Sequence, residues 1–257
     1  MTPSELAAKA ERLRSLHVPG DPVVLPNAWD ASSAGVFAEA GFFALATSSG
    51  AVAAALGYPD GEGAPADEMF DAIARIARSV DVPVSADIER GYGLAPDEIA
   101  DRLLSAGAVG CNLEDSDPRS HQLVPAEDQA ARLRALREAC DQAGVPVVLN
   151  ARVDVHLRNW GDAHDRLGEA VRRARLYLEA GADCVYPIFL NERDELRHFV
   201  HDAGGAVNAV FLPHGSSISA MASLGVARIT FGSGLHRATN VWLSSLAGRI
   251  TDGHSPY

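Results

Sequence analysis

Short apolar, β-branched runs alternate with longer segments of helical periodicity eight times along this sequence. The runs are Val23–Pro26, Phe43–Ser48, Pro83–Ile88, Val109–Glu114, Pro146–Val153, Cys184–Phe189, Val207–Pro213 and Ala227–Gly232. The helical segments are 31–40, 66–80, 96–106, 126–143, 163–180, 191–203, 216–224 and 235–249. In 163–180, Leu167, Ala170, Val171, Ala174 and Leu178 form one apolar face, with Arg and Glu on the other. The strands are apolar nearly throughout, as expected for a parallel sheet buried on both faces. Three echoes, Glu39-Ala-Gly41, Ser105-Ala-Gly107 and Glu179-Ala-Gly181, each put a glycine between a helix and an apolar strand, where a left-handed residue closes the helix. A second echo, Asp81-Val-Pro-Val84 and Gly144-Val-Pro-Val147, marks two strand starts.

Eight strand–helix units predict an α/β fold, a single (β/α)8 TIM-type barrel spanning residues 1–257 as one domain. The rival is a doubly wound open sheet, which often carries a glycine-rich phosphate turn after its first strand. Here that strand ends in Pro26-Asn-Ala-Trp-Asp30, without such a turn, and no Pro/Gly/Ser linker divides the chain.

Composition narrows the function. With 34 acidic against 22 basic residues, the formal charge is −12, and no Lys/Arg cluster exists to hold nucleic acid or an anionic membrane. No apolar run is long enough to span a bilayer, and the N-terminal stretch lacks the apolar core of a signal peptide. Cys111, Cys140 and Cys184 are odd in number and widely spaced, which fits reduced thiols in a cytoplasmic protein better than a disulfide framework. Cys111 falls inside a strand and reads as a buried core residue.

Barrel active sites form at the C-terminal ends of the strands. Those ends read Thr47-Ser-Ser-Gly50, Asp87-Ile-Glu-Arg90, Asn112-Leu-Glu-Asp115, Asn150-Ala-Arg-Val-Asp154 and Pro213-His214. Asp87, Glu89 and Glu114 are hard oxygen ligands on neighbouring strands, the donor type Mg2+ takes while keeping several waters. The plainer alternative pairs Asp87 with Arg90 and leaves Glu89 and Asp115 as capping or solvated carboxylates. Arg152 suits bidentate binding of a substrate carboxylate or phosphate, or else an ion pair with Asp154 or Glu114. Ser49 and Gly50 offer a hydroxyl and amides to a carboxylate. The polar stretch Asp115–Pro125, containing Pro118 and His121, is either a lid or an ordinary loop. No histidine pair has zinc-ligand spacing, and neither a G-x-S-x-G elbow nor a P-loop is present.

Asp87-Ile-Glu-Arg-Gly-Tyr-Gly93, followed by Asn112-Leu-Glu-Asp115 and Asn150-Ala-Arg-Val153, resembles the isocitrate lyase / phosphoenolpyruvate mutase superfamily. Pro26-Asn-Ala-Trp-Asp-Ala31, Thr47-Ser-Ser-Gly50 and Gly57-Tyr-Pro-Asp60 are also similar to it, so the resemblance runs from about residue 20 to residue 245. It implies an α/β barrel, Mg2+, and a 2-oxo acid that passes through an enolate-like state. It further implies that Asp87, Glu89 and Glu114 form the metal shell, some through water. Ser49, Gly50 and Ala51 would hold the substrate carboxylate, Asp60 would lie near the metal, and Arg152 would contact the carboxylate or phosphoryl group. Arg152, Glu114 and Asp60 are the expected catalytic set.

Lyases of that superfamily carry a Lys-Lys/Arg-Cys-Gly-His lid motif. Here the corresponding stretch, Asp115-Ser-Asp-Pro-Arg-Ser-His-Gln-Leu123, has no cysteine. The expected activity is therefore a Mg2+-dependent carbon–carbon lyase or decarboxylase acting on a small 2-oxo or 2-hydroxy carboxylic acid. The alternatives are a mutase or hydrolase of phosphoenolpyruvate or phosphonopyruvate, and a non-catalytic barrel that binds a carboxylic acid. The last helix carries Leu235, Ala238, Val241, Trp242, Leu246 and Ile250 as an apolar set. The resemblance implies its exchange between subunits of a homodimer or homotetramer.

Overall fold

The computed structural model describes residues 1–257. Helix α1 (Pro3–Ser15) comes first, its start fixed by a capping box in which Thr2 accepts from the Glu5 amide and Glu5 accepts from the Thr2 amide. A short hairpin follows, β1 (His17–Val18) against β2 (Asp21–Leu25). The chain then runs through β3 (Asn27–Ala28), α2 (Ala31–Glu39), β4 (Leu45–Thr47), α3 (Ser49–Leu56), α4 (Ala66–Arg78), β5 (Val84–Asp87) and α5 (Pro96–Ala106). Next come β6 (Gly110–Glu114), α6 (Ala126–Gln142), β7 (Val148–Val153), α7 (Ala163–Glu179), β8 (Cys184–Pro187) and α8 (Arg193–Ala203). The last elements are β9 (Ala206–Val210), α9 (Ile218–Ser223), β10 (Arg228–Thr230) and α10 (Gly234–Thr251).

The curled sheet has the order β1-β2-β10-β9-β8-β7-β6-β5-β4-β3, parallel except for the β1–β2 hairpin. The two strands at its opposite ends, β2 and β3, are one run of chain broken at Pro26. Proline donates nothing to a ladder, so β2 stops there and pairs with β10, and β3 pairs with β4. The Pro26 carbonyl still accepts from the Ala46 amide at 3.0 Å, and this first strand carries the sheet around the ring of the (β/α)8 barrel. All eight expected runs contain strands, six of them trimmed and the first and seventh starting two and one residues early, and the glycines of the three echoes have φ of 89°, 81° and 99°.

Two helices have no counterpart in the eightfold pattern. Helix α1 buries Leu6, Ala10 and Leu13, and Leu13 closes the bottom of the barrel against Gly110, where an added Cβ would lie 2.8 Å from Leu13 Cδ2. Helix α3 follows directly on β4, capped by Ser48 and ended by Gly57 at φ 89°. A second apolar cluster, including Leu45, Val52, Met69 and Ile76, fixes α3 against α4. Helix α10 is the outlier: none of its residues is buried, and Val241, Trp242 and Ile250 are 72%, 64% and 59% exposed. Only its first turn packs back on the barrel, where His236 meets Trp29 at 5.1 Å between ring centroids. No helix is long and apolar enough to cross a membrane.

Candidate active site

A cavity of about 350 Å³ opens at the C-terminal ends of the strands. Its floor is built around Asp87, the last residue of β5. The Asp87 amide donates to Thr47 Oγ1 at 2.8 Å, and Asp87 Oδ2 accepts from the Ser49 amide at 3.1 Å and Ser49 Oγ at 2.9 Å. Asp87 Oδ1 is buried and has no partner. Arg90 turns away to the Glu114 carbonyl and Gln129 Oε1, which removes the plainer Asp87–Arg90 pairing.

Helix α3 aims its N-terminus at this floor. The Ser49 amide is taken by Asp87 and the Ala51 amide donates to Ser48 Oγ at 3.4 Å, which leaves the amide of the cavity-lining Gly50 without a partner. Ala51 itself is buried and does not line the cavity. Gly50 is required for a steric reason: a Cβ there would sit 2.7 Å from Asp60 Oδ2 and 2.9 Å from Asp60 Cγ. Asp60 thus reaches the site through the gap that glycine leaves, from an exposed loop. Ser48 Oγ and Ser233 Oγ, 2.8 Å apart, tie this corner to the start of α10.

Glu89 is buried, at φ 51°, just past the end of β5. Its Oε2 accepts from the Glu62 amide at 2.5 Å, and the Glu62 carboxylate in turn accepts from the Tyr92 amide at 2.7 Å. The Tyr92 hydroxyl donates to Glu89 Oε1 at 3.4 Å. Burial, then the charges of Asp87 and Asp60, push the Glu89 carboxyl up to about 7. Burial also raises Glu114, and Arg152 pulls it back.

Arg152 forms both of the ion pairs anticipated for it. It makes a fork onto Asp154, at 2.7 Å from Nε and 2.9 Å from Nη2, and its Nη2 also pairs with Glu114 Oε2. Burial works against the guanidinium charge, and Asp154 and Glu114 more than restore it. Beneath them lies Asp115, fully buried, which accepts from Arg173 Nη1 at 2.9 Å, the Tyr177 hydroxyl at 2.7 Å and the Asp154 amide at 2.8 Å. Asp115 and Ser116 are thus anchors, and only the stretch after them overhangs the site, placing Pro118 and His121 on the cavity wall.

Asp87, Glu89 and Glu114, the expected metal shell, all line the cavity, without their oxygens all lying within 4.8 Å of one another. The only acid/histidine group with ligand atoms within 4.8 Å of one another is Asp162, His164 and Asp165, exposed around the start of α7. Glu114 is committed to Arg152, and Glu89 to Glu62 and Tyr92. The residues nevertheless fit a hydrated Mg2+. A buried carboxylate oxygen without a donor is costly, and Asp87 Oδ1 is that group. The negative charges of Asp87 and Asp60 crowd Glu89, and a bound cation would offset that repulsion.

Sequence reasoning missed Asn27, Glu62, Arg158 and Arg237. Asn27 Nδ2 donates to the Thr47 carbonyl and its Oδ1 accepts from the Phe231 amide, both at 2.7 Å, clamping the first, second and last barrel strands together under the site. Arg158 and Arg237 line the cavity and pair with no carboxylate. Asn27 lay within a quoted motif, but the other three carried no local signal.

The phosphoenolpyruvate phosphomutase family model matches residues 13–251. The chain is 35% identical over 238 residues to an uncharacterised protein of Mycobacterium tuberculosis, covering 93% of this chain and 88% of that one. It is 31% identical over 199 residues to the 2-methylisocitrate lyase of Bacillus subtilis, covering 74% of this chain and 63% of that enzyme. Among solved structures, that of a candidate phosphonomutase from Burkholderia cenocepacia superposes with a TM-score of 0.89 at 39% identity, over 93% of this chain and 99% of that one. The chain belongs to the phosphoenolpyruvate phosphomutase family, within the isocitrate lyase / phosphoenolpyruvate mutase superfamily.

Proposed function

We propose that this protein is a Mg2+-dependent carbon–carbon lyase acting through an enolate on a small 2-oxo or 2-hydroxy carboxylic acid. The observation that carries the reading is the cavity floor: a buried, donor-less Asp87 Oδ1 beside the open Gly50 amide at the N-terminus of α3. Asp87 would hold the ion, with Glu89 and Glu114 reaching it through water. Bound there, Mg2+ supplies Lewis-acid stabilisation of the charge that develops on the 2-oxo oxygen.

The chain's own groups do the rest. The Gly50 amide and the N-terminal end of the α3 dipole receive the substrate carboxylate, and Arg152 faces it from β7. Because Asp154 and Glu114 fix the guanidinium, it does not reorganise as charge moves. Of the cavity carboxylates, Asp87 is taken by Ser49 and Glu89 by Glu62 and Tyr92, which leaves Asp60 and the Arg152-paired Glu114 for proton transfer. They take the proton of a 2-hydroxyl as the carbon–carbon bond breaks, and they return one to the enolate carbon. The apolar wall of Ile188, Phe189 and Leu212 limits water at that carbon.

Phosphonate chemistry is the second reading, favoured by the similarity to the candidate phosphonomutase. The exposed apolar face of α10 supports assembly of the chain as a homodimer or homotetramer, with that helix covered by a second copy. A panel assay decides the reaction. Pyruvate release is followed from oxaloacetate, phosphonopyruvate and alkylmalates, with Mg2+ and with EDTA. EDTA-sensitive pyruvate from oxaloacetate or an alkylmalate is the expected result. Pyruvate with phosphate establishes phosphonate hydrolysis instead, and saturable binding without turnover leaves a carboxylic-acid-binding barrel.

A further inference from the structure

The cations facing the cavity are not equivalent. Arg152 is neutralised by two acids, Asp154 and Glu114. Arg158 stands on the single turn that follows β7, its amide donating to the Asp154 carbonyl at 2.8 Å. Its Nε donates to Ser116 Oγ at 2.9 Å, and Ser116 Oγ donates to Asp154 Oδ2 at 2.6 Å. Asp154 accepts two bonds from Arg152 and one from Ser116, and none from the Arg158 side chain. The Arg158 guanidinium is held at one edge by a neutral hydroxyl and makes no ion pair, although it lines the cavity.

The mount beneath it is rigid. Asp154 is fully buried, its amide is fixed by Asp115, and Asp115 is fixed by Arg173 and Tyr177. Arg158 shares its wall with Leu157, Pro118 and His121. A half-buried arginine with its charge unmet and its stem immobilised is a preorganised anion receptor, and guanidinium favours the planar, bidentate carboxylate. The Gly50 amide and Arg152 serve the first carboxylate in the proposed reaction.

We propose that Arg158 binds a second, distal carboxylate and so selects dicarboxylic over monocarboxylic substrates. This rests on the proposed function, because it takes the α3 end of the cavity as the place of the reacting carboxylate. Arg158 is a specificity residue, and no bond is made or broken at it.

Two probes separate the two ends of the cavity. Oxalate with Mg2+ is too short to reach beyond the floor, whereas 2-methylmalate with Mg2+ spans to a second carboxylate. Calorimetric titrations of both are compared for wild type, Arg158→Gln and Arg158→Lys. Arg158→Gln removes the charge and keeps a donor for Ser116. It is expected to weaken 2-methylmalate roughly ten- to a hundredfold, the span of one charge-assisted contact, with oxalate unchanged within about twofold. Arg158→Lys is expected to recover a large part of that loss.

Equal weakening of both probes by Arg158→Gln means a structural role and overturns the inference, as does no change in either. A loss confined to phosphonopyruvate, run as a third titration, assigns Arg158 to a phosphonate and overturns the carboxylate. Oxalate binding to wild type without 2-methylmalate binding also overturns it, while leaving the proposed function standing. Failure of wild type to bind any of the three removes the proposed function and this inference together.

Discussion

Replacing Asp115 by asparagine takes the charge from a carboxylate that three donors share inside the protein. Asp115 is fully buried, and its partners Arg173 and Tyr177 are nearly so. An asparagine keeps one acceptor oxygen for what were three bonds, and its NH2 group opposes the donors of Arg173 and Tyr177. It also leaves the Arg173 charge dependent on Glu169 alone, at 2.7 Å. Breaking one partner of a buried ion pair costs about 3–5 kcal/mol, and the retained oxygen puts asparagine near the lower end, with alanine near the upper. For a chain of this size, a Tm falls by roughly 2–4 °C per kcal/mol, so Asp115→Asn is expected to lose about 6–12 °C. Urea denaturation followed by circular dichroism gives the free energy directly. An unchanged m-value shows that stability, rather than compactness, has altered. Tyr177→Phe removes one neutral donor and costs about 1 kcal/mol. The paired change Asp115→Leu with Arg173→Met removes both charges and recovers much of the loss, because apolar groups of similar volume replace an ion pair nearly neutrally. A loss below about 1 kcal/mol in Asp115→Asn, or a pair no more stable than Asp115→Leu alone, refutes the assigned role of this network.

Gly50→Ala places a methyl where Asp60 now sits, 2.7 Å from its Oδ2. It should weaken Mg2+-oxalate at least tenfold while costing less than about 1 kcal/mol of stability, as read by calorimetry and melting. His17 is held neutral, down to about 4, by burial and then by the Arg228 charge. Its folded value lies below its unfolded one, so its stabilisation is full above about 6.5 and is lost as the pH falls towards 4. The loss is at most about 3 kcal/mol. Wild type should therefore lose more stability than His17→Gln between pH 7 and pH 4 in parallel denaturations, and equal slopes would contradict this. Light scattering should find full-length protein as a dimer or tetramer at micromolar concentration and a chain ending at Gly234 as a smaller species. A monomeric full-length protein would show that α10 is not covered by a second copy.

The strands were legible because a strand buried on both faces must be apolar along its whole length, and turns must break that run. What the pattern hid was how the first strand is used: Pro26 divides it between two neighbours, and only the closed ring shows this. Helix α3 was readable in principle from its Ser48 cap and Gly57 stop. Its eight residues followed a strand so closely that Ser49-Gly50 reads as a turn. In the site, Asp87, Glu89, Glu114 and Arg152 were legible as polar residues ending apolar strands. Their division of labour was not, since it depends on distant partners. Glu89 is spoken for by the amide of Glu62, 27 positions away, and Arg152 by Glu114, on the neighbouring strand. Arg158 carried no signal because only the fold around Asp154 turns it into the cavity.

The central claim is that Asp87 holds a Mg2+ ion against which a 2-oxo acid binds, and oxalate tests it most directly as an enolpyruvate mimic. Calorimetric titration of oxalate is run with Mg2+, with EDTA, and with Mg2+ on Asp87→Asn, which keeps the Ser49 contact but removes the charge. The account predicts tight binding only to wild type with Mg2+, and a loss of at least a hundredfold with EDTA or in Asp87→Asn at unchanged melting temperature. Oxalate affinity equal with and without the ion, or undiminished in Asp87→Asn, would contradict it.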